Sequence, residues 1–185
     1  MTSTPSPVRL AELDPTERSQ WLARMEDAFT AGLHDAGIAP GEEPIPTAAE
    51  MEPELRSPDV STFQIVCDDE IVGGAMIGAN HAGRRRLELF FIDAGRHGGG
   101  IGARAWAAIE ARYPDTDVWE TDTPYFDQRN VHFYINRCGF QAVEFFHPGH
   151  QREEEGDGDH QGPDRSFRFE KRMPRIADGA GRIER

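Results

Sequence analysis

Cysteine is almost missing from this chain: Cys67 and Cys138 are the only two. Two cysteines cannot build a disulfide framework, and neither sits in a Cys-x-x-Cys pair, which argues against a stapled secreted domain and against a zinc site. Both are expected as buried thiols. Lysine is scarcer still, because Lys171 is the single one and every other residue of the Lys/Arg class is arginine. Apolar runs are short, and none approaches the ~20 residues that span a bilayer. The opening MTSTPSPVRL lacks the basic start and apolar centre of a secretory signal, so a cytoplasmic protein with no membrane partner is expected. Positive charge is also in deficit. The net charge of −13 argues against nucleic acid as a partner. It suits a cationic substrate, and it also has the plainer reading of solubility.

What is present fits one domain with a real core, spanning 1–185. The expected appendages are flexible ends at 1–7 and 174–185 and a mobile acidic loop at 147–163. The chain is organised around Leu87 to Tyr113. An apolar run, Leu87 to Ile92, reads as a buried strand. The turn Gly98-Gly99-Gly100-Ile101-Gly102 follows, and Ala103 to Tyr113 reads as a helix stopped by Pro114. Consecutive glycines between strand and helix outline a phosphate cradle. Glycine takes positive φ and lets a ligand approach the backbone, while the first helical N–H groups have no partner inside the helix.

Around this centre the pattern alternates. Val8 to Leu10 is a candidate strand. Asp14-Pro15-Thr16-Glu17 is a helix start with a cap, a first-turn proline and an acid three residues on. Trp21, Leu22, Met25, Ala28 and Phe29 then share one helical face. Thr47 to Arg56 reads as a short helix disturbed by Pro53. Thr62 to Cys67 and Ile71 to Ala79 read as a hairpin, with Gly73 and Gly74 marking a close backbone contact. Asn80 to Arg86 reads as a polar loop whose Arg84-Arg85-Arg86 is a solvated turn. Val118 to Thr123 is a strand, Asp127 to Cys138 a helix closed by Gly139, and Phe140 to Phe146 and Ser166 to Arg172 the last strands. The sum is a mixed α+β sheet with helices on both faces.

Three readings compete for the glycine turn. A Walker-type loop fails, because Ile101-Gly102 stands where Lys-Ser or Lys-Thr is needed. A dinucleotide site has the right spacing in Gly98, Gly100 and Ala103, with Glu120 or Asp122 as its acid, but Asp93 to His97 intervene between strand and turn. The third is a resemblance. His97-Gly98-Gly99-Gly100-Ile101-Gly102 resembles the pyrophosphate loop of the GNAT acetyltransferases, Gln/Arg-x-x-Gly-x-Gly/Ala. Downstream, Arg129 to Phe140 resembles that family's later helix, ending in Tyr-x-x-x-x-Gly-Phe at Tyr134, Gly139 and Phe140. The resemblance covers about Thr62 to Phe146. It departs at His97, where Gln or Arg is usual, at Gly99, where a basic residue is common, and at Asp127, which stands in the place of a frequent Asn.

The resemblance implies a central, mostly antiparallel twisted sheet of six or seven strands, with strands 4 and 5 splayed. It implies acetyl-coenzyme A as cosubstrate and no metal, consistent with the irregular spacing of His147, His150 and His160. The diphosphate would rest on the amides of Gly98, Gly99, Gly100, Ile101, Gly102 and Ala103, with His97 as a further cofactor-binding candidate of the loop. The pantetheine arm would run beside Phe91 and Ile92, with Asn130 or Asp127 in reach. Glu88 and Glu120 are the candidate bases and Tyr134 the candidate acid. The acceptor would be a small-molecule or peptide amine, and the protein a monomer or homodimer. A domain of the same shape that binds an acyl-coenzyme A without turnover is the alternative.

Overall fold

The computed structural model describes residues 6–151 and 165–174. Most of the expected acidic loop and of the two flexible ends lies outside them. Seven strands form one sheet: β1 (Val8–Glu12), β2 (Val60–Cys67), β3 (Glu70–Gly78), β4 (Arg84–Ile92), β5 (Val118–Pro124), β6 (Gln141–Phe146) and β7 (Ser166–Arg172). Their spatial order is β1-β2-β3-β4-β5-β7-β6. Every neighbouring pair is antiparallel except β4 and β5. That parallel pair holds only over Arg84–Val118, Arg85–Trp119 and Arg86–Glu120. Beyond those rungs the two strands part, so the expected splay is present.

Helices cover both faces. On one, α1 (Arg18–Asp35) and α2 (Ala48–Glu54) seat Trp21, Leu22, Met25 and Ala28 against Met76, Leu89 and Phe91. On the other, α3 (Ile101–Arg112) and α4 (Gln128–His132) with its continuation Phe133–Cys138 enclose Trp106, Ile109, Trp119, Tyr134 and Phe169. Among the described residues no helix is long and apolar enough to cross a membrane. The surrounding antiparallel pairing is unlike the parallel sheet that a dinucleotide site requires, and that reading is set aside.

Local chemistry explains the boundaries. Asp14 accepts from the Thr16 amide at 2.8 Å and starts a single 3₁₀ turn, Pro15–Glu17, ahead of α1. Glu17 does not close a box there; its carboxylate takes a hydrogen bond from Gln64. The reciprocal capping box forms instead at Thr47 and Glu50, where α2 begins. Both hairpin glycines answer to close approach. A Cβ on Gly73 would strike the Phe91 carbonyl oxygen, and one on Gly74 would strike the Trp21 indole and the Phe91 ring. Gly74→Ala is therefore expected to lose about 1–3 kcal/mol of stability by overpacking. Urea unfolding checks this, and an unchanged midpoint would contradict the packing described.

The arginine triplet is not a solvated turn. It opens β4, and its cross-strand partners make it structural. Arg84 lies 2.5 Å from both Glu120 and Glu170. Arg85 stacks over the Tyr113 ring and donates to the Gly78 carbonyl. Arg86 pairs with Glu88 on its own strand and with Asp122 on β5.

Candidate active site

The turn after β4 is held at its start by α1. Arg24 pairs with Asp93 and donates to the Ile71 carbonyl at 2.6 Å. Gly98, Gly99 and Gly100 then follow one another at φ of 129°, 56° and 73°, a sequence of conformations open only to glycine without strain. Gly100 caps α3, and Arg104 N–H returns to its carbonyl at 3.1 Å. The Ile101 amide turns back to the Gly98 carbonyl at 3.4 Å, and the amides of Gly102 and Ala103 lie at the positive end of the helix dipole. A Cβ on Gly98 or Gly99 would meet nothing within 4 Å, and both glycines are exposed. Gly102 differs: its Cβ would lie 3.0 Å from the Phe133 ring, so its missing side chain serves the packing of α3 on the helix after α4.

Two arginines from the helices bring positive charge beside the glycines. Arg104 folds its guanidinium onto the Gly99 carbonyl. Arg129, from α4, reaches His97 Nε2 at 3.0 Å and Asp35 at the end of α1 at 3.0 Å. Burial, then the Arg129 charge, lowers the His97 pKa. That shift favours the neutral ring, which can accept from Arg129. Neither arginine was singled out by the sequence, because only the fold sets α4 beside the turn. Asp127 caps α4. Its two carboxylate oxygens take the Asn130 amide N–H at 2.9 Å and the Asn130 side-chain NH₂ at 2.7 Å. Its pKa is raised by burial. Asp127 is thus the residue that holds Asn130 in place.

The gap between β4 and β5 opens next to this turn. Thr121, one residue past the last rung, donates from Oγ1 to the Leu87 carbonyl at 3.0 Å and bridges the parting strands. Tyr134 approaches from the helical side, buried among Phe133, Phe140 and Phe169. Burial pushes its pKa well above the ordinary tyrosine value. Residues Phe133–Cys138 wind as a π-helix, and Gly139 ends it at φ 80°. This insertion-like turn is a common mark of functional helices, and nothing in the 3.6-residue pattern announced it.

Hydrogen-bond alternation separates the two candidate amides of β4. The Asp93 N–H donates to the Val72 carbonyl, so with the observed register the Phe91 N–H also faces β3. The N–H groups of Ile92 and Phe90 face the open edge instead. Phe91 sends its ring to the opposite helical layer, edge-on to Trp21 at 5.1 Å.

The two candidate bases lie on the face away from Tyr134. Glu120 sits at the last rung, bound to Arg84. Glu88 is the extra residue where the β3–β4 register shifts, and Arg86 Nε reaches it at 2.9 Å. Burial raises the Glu88 pKa, against the opposing pull of Arg86. Among the described residues no group of three or more His, Cys, Asp and Glu is placed to hold a metal.

Comparison with known proteins agrees with this geometry. The sequence model of the acetyltransferase (GNAT) family matches residues 19–140. An uncharacterized protein of Bacillus subtilis strain 168, YrkN, is 37% identical over 132 residues, 71% of each chain. Two solved structures share the fold. An acetyltransferase from Thermus thermophilus superposes with a TM-score of 0.65 at 15% identity, covering 91% of this chain and 99% of that one. PaiA N-acetyltransferase from Thermoplasma acidophilum, solved with coenzyme A, gives 0.63 at 14% identity, over 90% of this chain and 99% of that one.

Proposed function

This chain belongs to the GNAT acetyltransferase family, and from that premise we propose that it is an N-acetyltransferase, moving an acetyl group from acetyl-coenzyme A to a primary amine by direct attack. The observation that carries the reading is the run of three left-handed glycines at the start of α3, set beside a parted β4–β5 pair with Tyr134 packed in the core that Leu87 and Trp119 share. The residues fit a diphosphate: an exposed glycine backbone, a helix N-terminus and two guanidinium groups close by.

Acetyl-coenzyme A supplies an acetyl thioester, already activated toward amines. The chain's own residues do the rest. Amides from Gly98 to Ala103 hold the diphosphate, with His97 keeping Arg129 at the turn. Asn130 lies toward the arm of the cosubstrate. The Ile92 N–H, with that of Phe90, points where charge develops on the acetyl oxygen. Glu88 takes the proton of the attacking amine, directly or through water; burial raises its pKa and so favours proton uptake, while Glu120 is bound by Arg84. Tyr134 protonates the departing sulfur. Holding amine and thioester together contributes a large share of the rate. The proposed setting is the cytoplasm, and the net charge of −13 favours a cationic acceptor.

A thiol-release assay against a panel of amines, paired with calorimetry of coenzyme A binding, tests this reading. Binding with no turnover on any amine would mark a ligand-binding module instead. For Glu88 the sign is definite. A base must be ionised, so the rate falls as pH falls through its pKa, and that acid limb should lie above the ordinary glutamate range. Glu88→Gln should remove the limb and lower kcat/KM by about 10²-fold. A limb that persists unchanged in the variant would transfer the role to another group.

A further inference from the structure

Three glycines in a row give the turn before α3 its shape, and they also leave it loose, since no residue has more backbone freedom to lose. The carbonyls show what holds it. The Gly98 oxygen takes the Ile101 amide at 3.4 Å, and the Gly100 oxygen takes the Arg104 amide at 3.1 Å. Among the described residues no main-chain donor reaches the middle carbonyl, that of Gly99. A side chain holds it instead: Arg104, in the first turn of α3, donates to it from Nη1. The Nε atom behind that group is buried, so the side chain packs against the protein rather than extending into solvent. Arg129 is placed differently. It reaches the His97 ring and Asp35 and bonds to none of the three glycine carbonyls.

We propose that Arg104 is the positioning residue of the diphosphate turn: it pins the Gly99–Gly100 peptide so that the N–H, and not the C=O, faces the anion. This rests on the coenzyme A reading above. The peptide is trans, so its N–H and C=O point in opposite directions. With the carbonyl drawn to Arg104, the Gly100 N–H points away from the guanidinium and is left to donate. Without that bond a Gly–Gly peptide flips readily, because both glycines accept either sign of φ. A flip would turn a carbonyl oxygen toward the phosphate oxygens and remove one donor from the cradle. Fixing the peptide before the ligand arrives also lowers the ordering cost of binding.

Three proteins test the proposal: the wild type, Arg104→Met, which keeps the stem without the donors, and Arg104→Lys, which keeps a charged donor. Calorimetry gives coenzyme A affinity, thiol release gives kcat and KM, and backbone amide relaxation gives the order of Gly99 and Gly100 in the ligand-free proteins. Arg104→Met is expected to weaken coenzyme A binding about tenfold and to raise KM for acetyl-coenzyme A by a similar factor, with kcat within about twofold of the wild type. The order parameters of the Gly99 and Gly100 amides should fall in that variant before any ligand is added. Arg104→Lys should recover part of the affinity and part of the order together. If Arg104→Met does not fold, Arg104→Gln takes its place. Glycine amides as ordered in Arg104→Met as in the wild type would overturn the proposal, leaving Arg104 as a charge near the ligand. Unchanged affinity would overturn it too, as would a lysine variant that regains affinity while the glycines stay loose. These outcomes leave the coenzyme A reading standing, whereas a wild type that does not bind coenzyme A would overturn both.

Discussion

Gly100→Val will abolish useful binding of coenzyme A, weakening it by about 10²-fold or more, while the protein remains folded. The size follows from geometry. Gly100 holds φ at 73° where it caps α3. A β-branched residue in that region carries about 1–3 kcal/mol of strain. The turn relieves it by rotating Gly99 and Gly100 out of the left-handed region, and the amides from Gly100 to Ala103 turn with them. Hydrogen bonds to charged groups contribute about 1.5–3 kcal/mol each, so misaligning two is enough for the predicted loss. The fold should survive because the turn is exposed and a Cβ on Gly100 has only the Arg104 guanidinium near it, at 3.5 Å. Calorimetry of coenzyme A binding and a thermal melt, run on the same sample, check both halves. Equal affinity in the variant would remove the cradle from the account.

Tyr134→Phe is expected to lower kcat by about 10²-fold, near the low end of the range for acid–base catalysis, and to leave KM for acetyl-coenzyme A nearly unchanged. A thiolate leaves fairly well without help, which keeps the effect from being larger. Phenylalanine preserves the contacts with Phe133, Phe140 and Phe169. Thr121 retains its bond to Leu87, so no buried donor is orphaned and stability should change by no more than about 1 kcal/mol. Steady-state kinetics with a saturating amine decide the matter. Unchanged turnover would take Tyr134 out of the mechanism.

Both residues stand in patterns that the sequence displays locally. Gly98 to Gly102 and Tyr134-x-x-x-x-Gly139-Phe140 are short, ordered and separated by a strand, so the centre of the fold is legible from them. The strands are legible too, because alternation and apolar runs record which face is buried. Other features are set by partners far along the chain. Arg84 looks like part of a polar turn until Glu120 and Glu170, 36 and 86 residues away, are brought beside it. Arg129 belongs to the site only because α4 lands next to the turn, and His97 gains its role from Arg129 rather than from its own chemistry. The π-helical step at Phe133–Cys138 changes which residues face the cleft without changing composition. Which β4 amide is open depends on pairing parity with β3, and a one-residue shift would exchange Phe91 and Ile92.

The central claim is that main-chain amides between Gly98 and Ala103 hold the diphosphate. A titration of isotopically labelled protein with coenzyme A, followed through backbone amide resonances, tests it most directly. The account predicts that the largest shifts fall on Gly98, Gly99, Gly100, Gly102 and Ala103, and that Ile92 moves with them. Saturated binding with those resonances stationary would contradict it.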